Sequence, residues 1–256
     1  MKKLFSILLV IFLLSGCADS VVPDKPADSD NSTTSETPTV STDPTVSEKP
    51  AEYSYLIQDT AENIISIKLP DGSEHADLIE NMMVSKIKDL SSETITVTRS
   101  QTDVADKQRE YSGYSIDLDT RISFASEDLV SVVVEGSFNR KGAAYPNDWF
   151  FTLNFNPATK QPVKFEDGYV ADKALYDAFS AQAKQTIAAE NGGEWPESFG
   201  EFGEMVCDEE SFLNGLKDGS VYWYLTQNGM GFSCSVIHAL GDHIEAEISL
   251  DAVTKK

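Results

Sequence analysis

Positive charge is scarce in this sequence: 20 Lys and Arg stand against 42 Asp and Glu, a formal charge of −22. Residues 51–256 alone hold 35 acidic against 16 basic residues, about −19. Nucleic acids are held chiefly through Lys and Arg contacts to phosphate, so DNA and RNA are excluded as partners. A field of this sign favours cationic partners, and its plainest effect is to keep a protein soluble.

Histidine is almost as rare, with His75, His238 and His243 the complete set. His238 and His243 sit five apart with Asp242 and Glu245 nearby, a spacing that matches no helix face, so no metal is expected there. No G-x-S-x-G elbow occurs, and Gly229-Met230-Gly231 is too short for a phosphate loop. Carboxylates are so frequent that spacing singles out no pair for glycoside hydrolysis. The expectation is a chain without a cofactor and without catalysis.

Long apolar runs are missing but for residues 4–14, which are too short for a comfortable membrane span. Lys2 and Lys3 precede that run, so residues 1–17 read as an export leader. The leader ends Leu14-Ser15-Gly16-Cys17, which resembles the lipobox of bacterial lipoproteins. That resemblance implies that the Cys17 thiol is diacylglycerated, then becomes the mature N-terminus and anchors the chain on the outer side of a cell membrane. Two acyl chains suffice for stable attachment. Residues 18–52 contain no aromatic residue and are rich in Ser, Thr, Pro and Asp, a composition that cannot bury enough apolar surface to fold. They read as a tether.

Cys207 and Cys234 are the two cysteines beyond the leader. Outside the cell such a pair is permitted to bridge; the other reading is two reduced thiols packed as small apolar side chains.

From residue 53 the pattern becomes that of an α+β fold: a mostly antiparallel sheet with two main helices, in an N-terminal half (53–125) and a C-terminal half (126–256). Residues 64–69 (IISIKL) read as a strand, and a helix follows from Ser73 with Leu78, Ile79, Met82, Met83, Ile87 and Leu90 at helical spacing. The methionines read as core. Strands are expected at 94–99 and 114–124, with an exposed charged connection at 101–110 between them. Residues 129–138 (LVSVVVEGSF) are apolar on both faces in their middle, which marks a central strand covered on both sides. Residues 149–156 and 161–165 read as a hairpin around Asn156-Pro157-Ala158-Thr159-Lys160. A long helix over 172–190 has Asp172 as its cap and Leu175, Phe179, Ala183 and Ile187 as its buried stripe. A short helix near 209–216 and strands at 221–225, 231–237 and 244–250 close the chain, with Asn228-Gly229 as a turn.

The apolar strand at 129–138, the loop Gly142-Ala143-Ala144-Tyr145-Pro146-Asn147 and the aromatic stretch 149–155 followed by Thr159-Lys160 together carry a resemblance. They resemble the extracellular C-terminal domain of RsiV-type anti-sigma factors, found also in PdaC-type peptidoglycan deacetylases. Residues 221–251, with Ile237-His238-Ala239-Leu240-Gly241-Asp242, are similar to that family's closing strands, and 64–88 to its N-terminal half. Tyr145 stands where the family carries a loop histidine. Only Met1, Lys2 and Lys3 precede the apolar leader, and no deacetylase domain or Asp/His/His motif follows, so the reading is of the extracellular module alone. In the anti-sigma relatives this module binds lysozyme, a small basic protein.

Two stretches are candidates for recognition. In residues 194–204, Glu194, Glu197 and Glu201 are interleaved with Trp195, Phe199 and Phe202, pairing contact area with selection for positive charge. The plainer reading is that the rings fold back and leave only the acids in water. The loop at 141–148 offers Tyr145 and Trp149. The expected function is a surface-anchored, monomeric binding domain for a cationic protein such as lysozyme. The alternatives are a cell-wall glycan module and, behind it, an envelope hydrolase.

Overall fold

The computed structural model describes residues 54–60, 62–70, 74–91, 96–100 and 110–256. The leader with Cys17, the tether, Ser73, residues 94–95 and the connection at 101–109 lie outside the described residues.

Strands β1 (Ser54–Asp59) and β2 (Ile64–Leu69) form an antiparallel hairpin. Its turn is closed by the Thr60 hydroxyl, which accepts from the Asn63 N–H at 2.9 Å. Helix α1 (Ala76–Ser91) follows, and its Ile79, Met83 and Ile87 are fully buried, as their spacing predicts. Strands β3 (Thr98–Ser100), β4 (Tyr114–Ala125), β5 (Val130–Arg140) and β6 (Asn147–Phe155) complete a six-stranded sheet in the order β3-β1-β2-β4-β5-β6. Every neighbouring pair is antiparallel except β2 and β4. Parallel strands cannot be joined by a tight hairpin, and α1 lies in the crossover between them. The α+β expectation therefore holds, with a mixed sheet.

The apolar run at β5 is buried on both faces, but not because the strand is central. It is the fifth of six in the order. Val130, Val132 and Val134 face the core under α1, whereas Val133 packs with Phe150 and Tyr224 on the other side. The second face is covered by the C-terminal part of the chain.

The expected hairpin of 149–156 with 161–165 is incorrect. β6 pairs with the preceding strand β5 along its whole length, from Val130↔Phe155 to Phe138↔Asn147. Residues 161–163 only bridge back, through Phe155↔Pro162 and a Val163 N–H donated to the Asn154 carbonyl at 2.9 Å. Pro162 has no N–H to extend a ladder. Phe165, expected to end a strand, instead opens the one-turn helix α2 (Phe165–Gly168).

Helix α3 (Lys173–Glu190) begins where Asp172 accepts from the Leu175 N–H at 2.9 Å. The one-turn helix α4 (Phe202–Met205) and helix α5 (Glu209–Asp218) follow, and Asp208 caps α5 by accepting from the Ser211 N–H. Strands β7 (Tyr222–Leu225), β8 (Gly229–Ser235) and β9 (His243–Ser249) form a separate three-stranded antiparallel sheet. The β7–β8 turn falls one residue earlier than Asn228-Gly229, closed by a Thr226 N–H donated to the Gly229 carbonyl at 3.0 Å. α3 lays Leu175, Phe179, Ala183 and Ile187 into the core shared with this sheet, and Phe179 stacks on Phe212 of α5 at 4.6 Å. At several kcal/mol for each buried aromatic pair and its aliphatic neighbours, this packing is the main force holding α3 in place.

A buried polar bridge ties the two sheets. The Ser131 hydroxyl donates to Asn154 Oδ1 at 2.7 Å, the Asn154 amide donates to the Trp223 carbonyl at 2.7 Å, and the Leu225 N–H donates to the Ser131 hydroxyl at 3.1 Å. Among the described residues β7 has no strand partner on that side, and these side chains satisfy backbone groups that a ladder would otherwise take.

Candidate binding surface

The β5–β6 loop and the turn between β8 and β9 meet where Asp148 and Asp242 hydrogen-bond. In the loop, Gly142 adopts a left-handed φ of 86° and leaves Tyr145 71% exposed. In the turn, Gly241 and Asp242 are both left-handed, a conformation that glycine takes freely and aspartate tolerates. The turn is closed by the Val236 N–H donated to the Asp242 carbonyl at 2.9 Å. This puts Ile237 outward, at 57% exposed.

Asp242 fastens loop to turn. One carboxylate oxygen accepts from the Asp148 N–H at 2.7 Å, and both lie 3.0 Å from His238 Nδ1. The His238 ring in turn sits 5.9 Å from the Tyr145 ring. Tyr145 and Ile237 are the exposed large hydrophobic residues among those described, and the ring that Tyr145 approaches, His238, follows Ile237 in the chain.

Next to this pair lies an acidic cavity of about 370 Å³ lined by Asp117, Asp119, Glu135, Ser137, Asp148 and His243. Strand register produces it: Asp117 pairs with Ser137, Asp119 with Glu135, and Ser137 with Asp148, so these side chains share one face of the sheet. Gly136 lies among them. The His243 ring packs 4.9 Å from Phe150, with its Nε2 3.4 Å from Glu245 Oε1. Its Nδ1 is buried without a hydrogen-bond partner among the described residues. Tyr224 donates to the other Glu245 oxygen at 3.0 Å, and burial, then that carboxylate, pushes the Tyr224 phenol well above its ordinary range. Asp148 and Asp242 connect the cavity to the apolar pair. Among the described residues, no group of three or more His, Cys, Asp or Glu is arranged to hold a metal ion.

The other sequence-derived candidates lie elsewhere. Trp149 is next to Asp148 in β6 and therefore points to the opposite face, where it stacks on Phe138 at 5.1 Å. It does not join the Tyr145 surface. In residues 194–204 the rings turn inward. Phe202 is buried against Phe179, and Trp195 and Phe199 are half-buried against the same core. Trp195 is held by its indole N–H, which donates to the Gly200 carbonyl at 2.8 Å. Glu194, Glu197 and Glu201 stay exposed, so this segment presents charge without its aromatic contact area. Cys207 and Cys234 come together, their sulfurs 3.3 Å apart. Ile237, His238 and the Asp117/Asp119/Glu135 group were not expected as a site. The alternation of acids in residues 117–119 was a visible signal, but pairing with Glu135 and Asp148 was needed to make it a cavity.

No profile of a known family matches the chain, and no curated protein matches it. Among solved structures, the chain is similar to a DUF3298 family protein from Pseudomonas aeruginosa PAO1, with 12% identity, 79% of this chain and 91% of that one covered, and a TM-score of 0.44. It is also similar to a member of the DUF3298 family from Bacteroides fragilis, with 14% identity, 77% and 88% covered, and a TM-score of 0.39.

Proposed function

We propose that this chain is a non-catalytic binding domain, held outside the cell membrane through lipidated Cys17, that recognises a cationic protein such as a lysozyme. The observation that supports this most directly is the acidic cavity beside the exposed Tyr145–Ile237 pair. A Lys or Arg of the partner would enter the cavity among Asp117, Asp119, Glu135 and Asp148, while apolar surface around it covers Tyr145 and Ile237. Interfaces draw most of their affinity from a few such anchors, and opposite charge adds specificity and a fast approach. The acids at Glu194, Glu197 and Glu201 add to the long-range field rather than to the contact. The glycan reading has less support, since among the described residues Tyr145 is the strongly exposed aromatic side chain and a sugar platform needs more than one ring.

Binding of the purified protein to hen lysozyme, followed by biolayer interferometry at low and high salt, tests this reading. Tyr145→Ala with Ile237→Ala, and separately Asp119→Asn with Glu135→Gln, should each weaken binding by about tenfold, roughly 1.4 kcal/mol. Salt should lower the association rate. Affinity that neither pair of substitutions changes would sink the surface; the absence of binding to any basic protein would sink the partner class.

A further inference from the structure

A second cavity, far in character from the acidic one, opens between α1 and the place where β6 meets β7. It encloses about 510 Å³. Its apolar lining comes from Leu153, Val163 and Trp223, and its charged lining includes Lys86, Lys164 and Lys217. In a chain with 20 basic residues against 42 acidic ones, three lysines on one cleft stand apart from the general field.

Lys86 is the informative one. Its ammonium lies 5.3 Å over the Tyr222 ring. No ion pair joins it to a carboxylate among the described residues. Burial pushes its pKa down, and Asp89, one turn away on α1, only partly opposes that. The other carboxylate on the cleft, Asp218, is already engaged, accepting from the Ser220 N–H at 2.9 Å. The Asn154 amide is likewise taken by the bridge to Ser131 and Trp223. A partly desolvated ammonium above an aromatic face, without a fixed counter-ion, gains from a ligand that brings an anion. The volume falls within the range of small-molecule sites, and an apolar wall with a few placed polar groups is their usual construction.

We propose that this cleft binds a small organic anion, whose carboxylate, sulfonate or phosphate head meets Lys86 while Lys164 and Lys217 close the mouth and an apolar body lies on Leu153, Val163 and Trp223. The site is independent of the Tyr145–Ile237 surface, and an anion there would leave the acidic cavity free.

Anilinonaphthalene sulfonate and decanoate are suitable probes on the intact folded protein. The dye should bind one to one, with decanoate competing, and two-dimensional NMR should show amide shifts concentrated at Lys86, Leu153 and Tyr222. Lys86→Met should weaken dye binding by about tenfold, which is about 1.4 kcal/mol. Lys164→Met with Lys217→Met, both exposed and unable to disturb the core, should weaken it less but measurably. Tyr145→Ala should leave it unchanged, with circular dichroism reporting the fold of each variant. Equal affinity in Lys86→Met and the double variant, shifts centred elsewhere, or failure of both probes to bind at millimolar concentration overturns the proposal.

Discussion

The Cys207 and Cys234 sulfurs lie 3.3 Å apart, one in the link between α4 and α5 and the other buried in β8. The contact with Cys207, together with burial, pushes the Cys234 thiol well above its ordinary pKa, so Cys207, the more exposed partner, is the one placed to attack an oxidant. Treatment with oxidised glutathione should close the pair, losing two protons and two electrons to the glutathione disulfide and lowering the mass by about 2 Da. A bridge across this separation of 27 residues should raise stability by about 3–4 kcal/mol in the chain-entropy model. Urea titrations with and without reductant measure the difference. Free thiols that persist under oxidation would show that the two side chains cannot reach bonding geometry.

Asn154 carries the junction between the two sheets, and its removal should be felt at both. Asn154→Ala strands the Trp223 carbonyl and the Ser131 hydroxyl in a buried site, at a cost of about 2–3 kcal/mol. Ser131→Ala combined with it should add less than the sum of the single effects, because both act on one network. Additive losses in chemical denaturation would mean that the bridge is not a unit.

Gly231 pairs with Tyr224 across β7 and β8, and a Cβ at Gly231 would lie 2.1 Å from the Tyr224 ring. Gly231→Ala should push that ring off its partner strand, break the hydrogen bond to Glu245 and destabilise the protein by about 1–3 kcal/mol. Gly142→Ala meets no neighbouring atom, so its cost should come from backbone strain alone. Thermal melts of the two variants separate these causes.

Alkaline pH should expose a set of reluctant tyrosines. Tyr169, Tyr176, Tyr222 and Tyr224 are all shifted above their ordinary value of 10, chiefly by burial, with Cys207 adding to Tyr176 and Glu245 to Tyr224. A raised folded pKa means that the folded state holds its proton longer than the unfolded state does. This contribution to stability is complete below about pH 10 and is lost as pH rises through the higher folded values. Phenolate absorbance should therefore lag behind that of the urea-unfolded chain, and stability should begin to fall above about pH 10. Superimposable titrations of folded and unfolded protein would contradict the burial of these four rings.

Local signals carried much of the fold. The α3 stripe and its Asp172 cap, the α1 stripe, and the strands expected at 64–69 and 114–124 follow from periodicity and capping chemistry that act within a few residues. The misplaced hairpin shows the limit. Residues 149–155 have strand character whichever neighbour they take; β5 fills one edge, and on the other 161–163 reach only a bridge, because Pro162 has no N–H to extend a ladder. The run at β5 signalled burial on two faces but not what buries them, and the cover is β7, about 90 residues later.

The sequence by itself determined the sign of the charge and the identity of most strands and helices, because composition and short-range periodicity are properties of a local stretch. Only the tertiary structure decided which residues share a surface. Phe202 reads as a contact residue until Phe179 takes its ring into the core. Tyr145 and His238, more than 90 residues apart, come to 5.9 Å between their rings where Asp242 accepts from the Asp148 N–H. A site of this kind depends on long-range pairing and on which competing neighbour buries each side chain, and neither is written in any local stretch of the chain.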